Sequence, residues 1–286
     1  MKYTTTIFIL FFFLCSTINF AQSSDSLAFQ QKLENIRTSY KNLDYQKGTD
    51  FCDDLLAKEK NLSNLEIAII KNYQADGLRR INQTEVAVKT FQEAEKLLDE
   101  NEPKHFKEIG KTYLLWSIAI NKQDIRKSKY LAIKAYDFKQ KAVGKQHPET
   151  AEALANLAFM TNTDGNLNAA IPLYEEAIAV LLTHEKEYTQ SLVDNIYQLG
   201  LCYRRAGELQ KAKDYFEKNI VIIQRNFPPK HYLLGVTYSG LSECYREERN
   251  MDKAIEYLKF NLEIQRANYG ENHARTAIGY AMLAGS

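Results

Sequence analysis

The stretch GKQHPETAEALANLA, residues 144–158, sets His147 beside Pro148 and Glu149, just ahead of an apolar helical pattern. An imidazole in that setting has the chemistry of a general base or a zinc ligand. Four of the five histidines, His105, His147, His231 and His273, lie 42, 84 and 42 residues apart, and Thr189 holds the skipped position. Zinc needs its ligands within about 2.0–2.1 Å of one ion. Histidines one repeat apart form a spaced ladder instead. His147 therefore reads as a polar residue capping or packing at a helix start, and no metal or cofactor is implied.

Other chemical patterns fail on their spacing. Gly110-Lys111-Thr112 imitates the end of a phosphate-binding loop, but His105 stands where the loop needs its first glycine, and no strand precedes it. Asp53-Asp54 opens an aspartate-rich metal pattern that Ala57 breaks. His184-Glu185 begins a zinc-protease helix whose second histidine is Tyr188. Cys202 carries no local catalytic signature, and its recurrence as Cys244 suits a small buried apolar role. No residue is assigned to catalysis.

The bulk numbers point the same way. With 37 basic and 36 acidic residues the net charge is +1, so the surface lacks the basic stripe that nucleic acid requires. It likewise lacks the charge surplus that would hold it to an anionic membrane once a leader is removed. Only 12 glycines and 5 prolines favour long helices over a turn-rich β fold.

Residues 1–22 stand apart from the rest. Lys2 precedes an unbroken apolar run over residues 7–15, and Ala21 follows at a plausible cleavage point. That is the layout of a secretory signal, with a run too short to span a bilayer comfortably. Cys15 does not read as a lipidation site, because bulky Leu14 stands where Gly, Ala or Ser belongs. Export permits disulfides, yet Cys52, Cys202 and Cys244 are odd in number and contain no CxxC pair.

The histidine lattice extends to the elements that must carry it. The same 42-residue step relates Leu115, Leu157, Leu199, Leu241 and Leu283, and also Ser128, Ala170, Ala212 and Ala254. It carries Tyr174 to Phe216 and Leu258. Each period resolves into two helices. Residues 150–162 place Leu154, Leu157, Ala158 and Thr161 on one face. After a break at 163–166, residues 168–182 do so with Ala170, Ile171, Tyr174, Ala177, Ile178 and Leu181. The next periods use Ile196, Leu199, Gly200 and Tyr203 with Ala212, Phe216 and Ile220, then Leu241 and Tyr245 with Ala254, Leu258 and Leu262.

Small residues at Gly200, Ala170, Ala212 and Ala254, with aromatics at Tyr203, Tyr245, Tyr174 and Phe216, resemble tetratricopeptide repeats. The Gly144 to Pro148 lead-in and the period of 42 resemble the kinesin-light-chain type of exported bacterial chains. The resemblance implies an all-α fold, a right-handed α-solenoid of antiparallel helix hairpins. It implies two divergent hairpins over 23–104 and about four tandem repeats plus an incomplete last one over 105–286. It also implies a non-catalytic scaffold that takes protein or peptide ligands along a concave groove lined by first helices. The groove positions would be Asn156, Phe159 and Asn162, then Tyr197, Leu201, Arg204 and Arg205, then Glu243 and Arg246. The basic clamp that some relatives close on a terminal carboxylate is not reproduced, since its positions hold Ala155, Tyr197 and Ser239. Because the last period stops within a first helix, a second expectation is the regulatory repeat region of a longer protein, either a CHAT-type peptidase or a membrane histidine kinase.

Overall fold

The computed structural model describes residues 27–284, so the expected leader at 1–22 lies outside the described residues. Helices and the turns between them account for those residues, with no strand among them. Packing divides the chain into two compact units, Met1–Ile120 and Asn121–Ser286. The division marks where packing thins. The 42-residue regularity of the sequence begins earlier, near His105.

In the first unit, helical residues 27–32 lead into α1 (Glu34–Lys41), α2 (Tyr45–Lys58), α3 (Asn64–Arg80), α4 (Thr84–Lys96) and, after a 3-10 turn at Pro103–His105, α5 (Phe106–Ile120). Helix starts are chemically marked. The Asp44 side chain accepts from Lys47 N–H at 3.2 Å. Ser63 and Glu66 form a reciprocal capping box at the start of α3, which satisfies two donors that the helix cannot. Phe29, Leu33, Ile36, Cys52 and Ile70 form its apolar cluster.

The second unit contains α6 (Ile125–Val143), α7 (Pro148–Thr163), α8 (Leu167–Leu182), α9 (Glu185–Arg205), α10 (Leu209–Asn226), α11 (Tyr232–Glu247), α12 (Met251–Tyr269) and α13 (Ala274–Ala284). Consecutive helices pair as hairpins, and the hairpins stack as an α-solenoid. The period is visible in single hydrogen bonds. The amides of Asn166, Glu208 and Asn250 donate back to Thr161, Tyr203 and Tyr245 carbonyls at 3.1, 3.0 and 2.9 Å. Each bond closes a first helix, and the residue just before its donor, one past the C-cap, is left-handed: Gly165 and Gly207 at φ 90° and 79°, then Arg249 at 61°.

Stacking depends on close approach. Ala170, Ala212 and Ala254 are buried, as the lattice predicts. Phe216 is fully buried and lies between two glycines. A Cβ at Gly200 would stand 2.6 Å from its ring, and one at Gly240 would stand 2.7 Å from it. Neighbouring rings reinforce the joint: Tyr203 stacks on Tyr215 and, one period on, Tyr245 stacks on Tyr257, each at 5.5 Å. Such pairs add about 0.5–1.5 kcal/mol beyond the area they bury.

The skipped lattice position is built differently. Thr189 directly follows a kink that divides α9, whose first turn starts at Glu185. The segment lacks the glycine–histidine–proline lead-in, so the helix begins almost as soon as α8 ends. The kink falls at Tyr188, at φ −118° and ψ 25°.

The packing predicts a specific conflict. Gly200→Ala gains about 1 kcal/mol of helix propensity but forces a methyl into the Phe216 ring, at a cost of about 1–3 kcal/mol. In urea unfolding Gly200→Ala should be destabilised, and the added change Phe216→Leu should turn the alanine neutral or favourable. Equal effects in both backgrounds would show that ring and glycine do not touch.

Candidate functional site

The histidines serve their own loops. His147 Nδ1 accepts from Glu149 N–H at 3.2 Å, and the Thr150 hydroxyl donates to the Gly144 carbonyl at 2.8 Å. His273 repeats the device, accepting from Arg275 N–H at 3.1 Å, while Thr276 donates to the Gly270 carbonyl at 2.7 Å. Gly144 and Gly270 supply the left-handed turn, at φ 91° and 82°. Gly-x-x-His-x-x-Thr is thus a connector from the second helix of one hairpin to the first helix of the next.

The other histidines are bound locally as well. His105 Nδ1 accepts from Asp99 N–H at 2.9 Å. His231 makes no capping bond; its ring stacks on Phe227 at 4.5 Å, and burial lowers its pKa. His184 Nδ1 lies 2.9 Å from the Thr183 hydroxyl. Among the described residues no three His, Cys, Asp or Glu side chains gather as a metal ion would need.

The remaining chemical patterns resolve in the same way. Lys111 lies over the Tyr73 ring at 4.0 Å. Asp53 accepts from Gln74 at 2.6 Å, and Asp54 pairs with Lys58 at 2.6 Å. Burial pushes the Cys52 thiol up to about 12 and those of Cys202 and Cys244 up to about 11. A nucleophilic cysteine needs the opposite shift.

What the second unit does present is the face of its first helices. Helix α9 touches α7 on one side and α11 on the other. The structure joins several of the expected groove residues across these contacts. Arg205 donates to Asn162 Oδ1 at 2.8 Å. Arg204 donates to Glu247 Oε1 at 2.6 Å and lies 3.7 Å from Glu243, which also pairs with Arg246. Two arginines and two glutamates therefore neutralise one another. Asn156, Phe159, Tyr197 and Leu201 are half-buried, and Tyr197 packs on Phe216 at 5.6 Å between centroids.

Beside Tyr197 lies a cavity of about 230 Å³ between α9, α11, α12 and α13. Tyr232, Val236, Ile264, Ile278 and Arg275 are among its lining residues. Of the expected groove positions only Tyr197 reaches it. The available sequence signal was weak: Tyr197 and Ser239, both lining the cavity, stand one period apart. Among the described residues no helix is long and apolar enough to cross a membrane.

Two family models, both described as tetratricopeptide repeat, match residues 192–259 and 150–182. Among curated proteins none matches the sequence. Solved structures share the fold. BtubC (BKLC) from P. vanneervenii superposes with a TM-score of 0.65 at 16% identity, over 85% of this chain and 93% of that one. A Rap protein complexed with Competence and Sporulation Factor gives 0.62 at 15% identity, over 90% and 74%. A signal transduction ATPase with numerous domains from Pyrococcus horikoshii, with a tetratricopeptide repeat sensor, gives 0.69 at 16%, over 89% of this chain but 38% of that one.

The capping geometry at His147 predicts a loss that another cap can repair. His147→Ala should destabilise the chain by about 0.5–2 kcal/mol, and His147→Asn should restore most of the loss. Adding zinc should leave the melting temperature of the parent unchanged. A zinc-dependent rise in melting temperature that His147→Asn abolished would reverse the assignment.

Proposed function

We propose, from the premise that this is a tetratricopeptide-repeat protein, that it is a non-catalytic scaffold binding protein or peptide partners along the first-helix face of its second unit. One observation carries the reading. Asn156, Phe159, Tyr197 and Leu201 remain half-open on the first helices, whereas Ala170, Ala212, Ala254, Tyr174 and Phe216 are buried. Aromatic and arginine side chains dominate interface energies, and this face offers both. The Rap neighbour complexed with a factor supports the same use of the fold.

The test is an array of tiled peptides from cell-envelope proteins, probed with the whole chain. Arg205→Glu combined with Arg246→Glu changes two exposed positions on the face and should remove most bound peptides. Lys218→Glu, exposed on the second helix α10, should remove none. Equal losses, or no loss from the face variant, would place binding elsewhere.

A second reading is that these repeats are the sensing region of a longer protein. The ATPase neighbour with its tetratricopeptide repeat sensor favours it. The reading frame beyond codon 286 decides: a peptidase or kinase domain supports it, and a stop codon removes it.

We also propose export, supported by Lys2 and the apolar run at 7–15. Mass spectrometry of the envelope fraction should find a mature chain starting near Gln22; an intact N-terminus in the cytosol would refute it.

A further inference from the structure

We propose that the outer face of α6 docks on an anionic lipid surface, with Arg126 and Lys141 against headgroup phosphates and Tyr130 and Ile133 seated between the headgroups. The inference is independent of the first-helix face, because α6 is a second helix by its place in the period.

Three observations converge on it. The first is where the charge sits. The even total of 37 basic and 36 acidic residues conceals one segregated helix. Helix α6 carries six cations, Arg126, Lys127, Lys129, Lys134, Lys139 and Lys141, against the single acid Asp137. The later second helices differ: α8 has two acids and no cation, α10 has four cations against two acids, and α12 has three of each. Clusters of about four to eight cations on one helix draw a segment to acidic lipid.

The second is which of those charges stay uncompensated. Lys129 and Lys139 serve the architecture, pairing with Asp164 and Glu149 at 2.7 Å each. Arg126 and Lys141 are exposed and pair with no carboxylate among the described residues. They stand about 22 Å apart along the helix axis. One bound phosphate cannot bridge that span, whereas a charged sheet meets both ends at once.

The third is the apolar component. Tyr130 and Ile133 are 59% and 43% exposed. Together with Arg126, Asp137 and Lys141 they recur every three or four residues along one exposed side. The opposite side, with Leu131, Ala132, Ala135 and Phe138, is buried in the protein. A phenol and a branched aliphatic gain little from a nucleic-acid backbone, but a headgroup layer accepts both beside cations.

The probe is a vesicle of phosphatidylcholine with about 40% phosphatidylglycerol, compared by cosedimentation with pure phosphatidylcholine at about 0.1 M salt. The chain used starts at Gln22, since the apolar run at 7–15 would itself hold vesicles; the described helices all lie beyond residue 26 and are kept. Binding to the acidic vesicles should be at least about tenfold tighter and should vanish at about 0.5 M salt. Arg126→Glu with Lys141→Glu should weaken it at least about tenfold. Lys218→Glu with Lys259→Glu makes an equal change of net charge at exposed positions of α10 and α12, and should weaken it less than about twofold. Tyr130→Ser with Ile133→Ser should cost at least about threefold. Melting temperatures are recorded for every variant. Arg126→Glu alone, at a helix start where an acid is favoured, carries the result if the double variant unfolds. The proposal is overturned if acidic and neutral vesicles bind alike, if the charge-matched control loses as much as the α6 variant, or if the Tyr130 and Ile133 variant binds as the parent does. A DNA duplex bound more tightly than the vesicles at equal phosphate and salt would also overturn it, and would assign the helix to nucleic acid.

Discussion

A two-helix hairpin cannot cover its own apolar faces, and the whole structure answers that constraint. Each hairpin of the second unit must bring its neighbour close enough to exclude water. The chain does this by setting backbone without side chains against large rings. Phe216 between Gly200 and Gly240 is the sharpest instance: one ring touches the first helix of its own hairpin and the first helix of the next. Ala212, buried one turn before it, and the stacked Tyr203–Tyr215 and Tyr245–Tyr257 pairs extend the same joint. Interiors at this density transmit volume changes as strain, so the spacing between hairpins is a fixed quantity that side chains at the surface inherit.

That inheritance explains the polar contacts. The bonds Arg204–Glu247 and Arg205–Asn162 each span 43 residues, one period plus one. They exist because stacking holds adjacent first helices at a separation a guanidinium can bridge. Exposed ion pairs are individually weak, and here they set the charge balance of the face. Arg204 and Arg246 are balanced by Glu243 and Glu247, while Arg205, bonded to a neutral amide, keeps its charge. Half-buried Asn156, Phe159, Tyr197 and Leu201 stand beside this network on the same face.

The connectors show how chemistry-bearing residues become architecture. In Gly-x-x-His-x-x-Thr, glycine supplies a left-handed turn, imidazole caps the following amide, and threonine ties back to the glycine carbonyl. Where the cassette is incomplete the geometry changes. Phe227-Pro228-Pro229 precedes His231, Lys230 takes the left-handed position at φ 62°, and the ring stacks on Phe227 without capping. Where the cassette is absent, at Thr183 to Tyr188, the helix starts early and bends. A shared lattice position therefore does not guarantee a shared role.

How much was legible in the sequence follows from the range of each interaction. Helix positions, turns, the buried alanines and the cap at His147 depend on residues at most a few positions apart, or on a repeat that restates itself every 42 residues, so composition and period determined them. The residue types of the first-helix face were legible too, because first-helix positions follow from the lattice leucines. The charge pairing of Arg204, the glycines on either side of Phe216 and the cavity were not. Gly240 stands off the lattice column of Gly200, and four helices from three successive hairpins build the cavity. Those features depend on the distance between stacked hairpins, which tertiary packing alone sets, through how closely rings and bare backbone can approach.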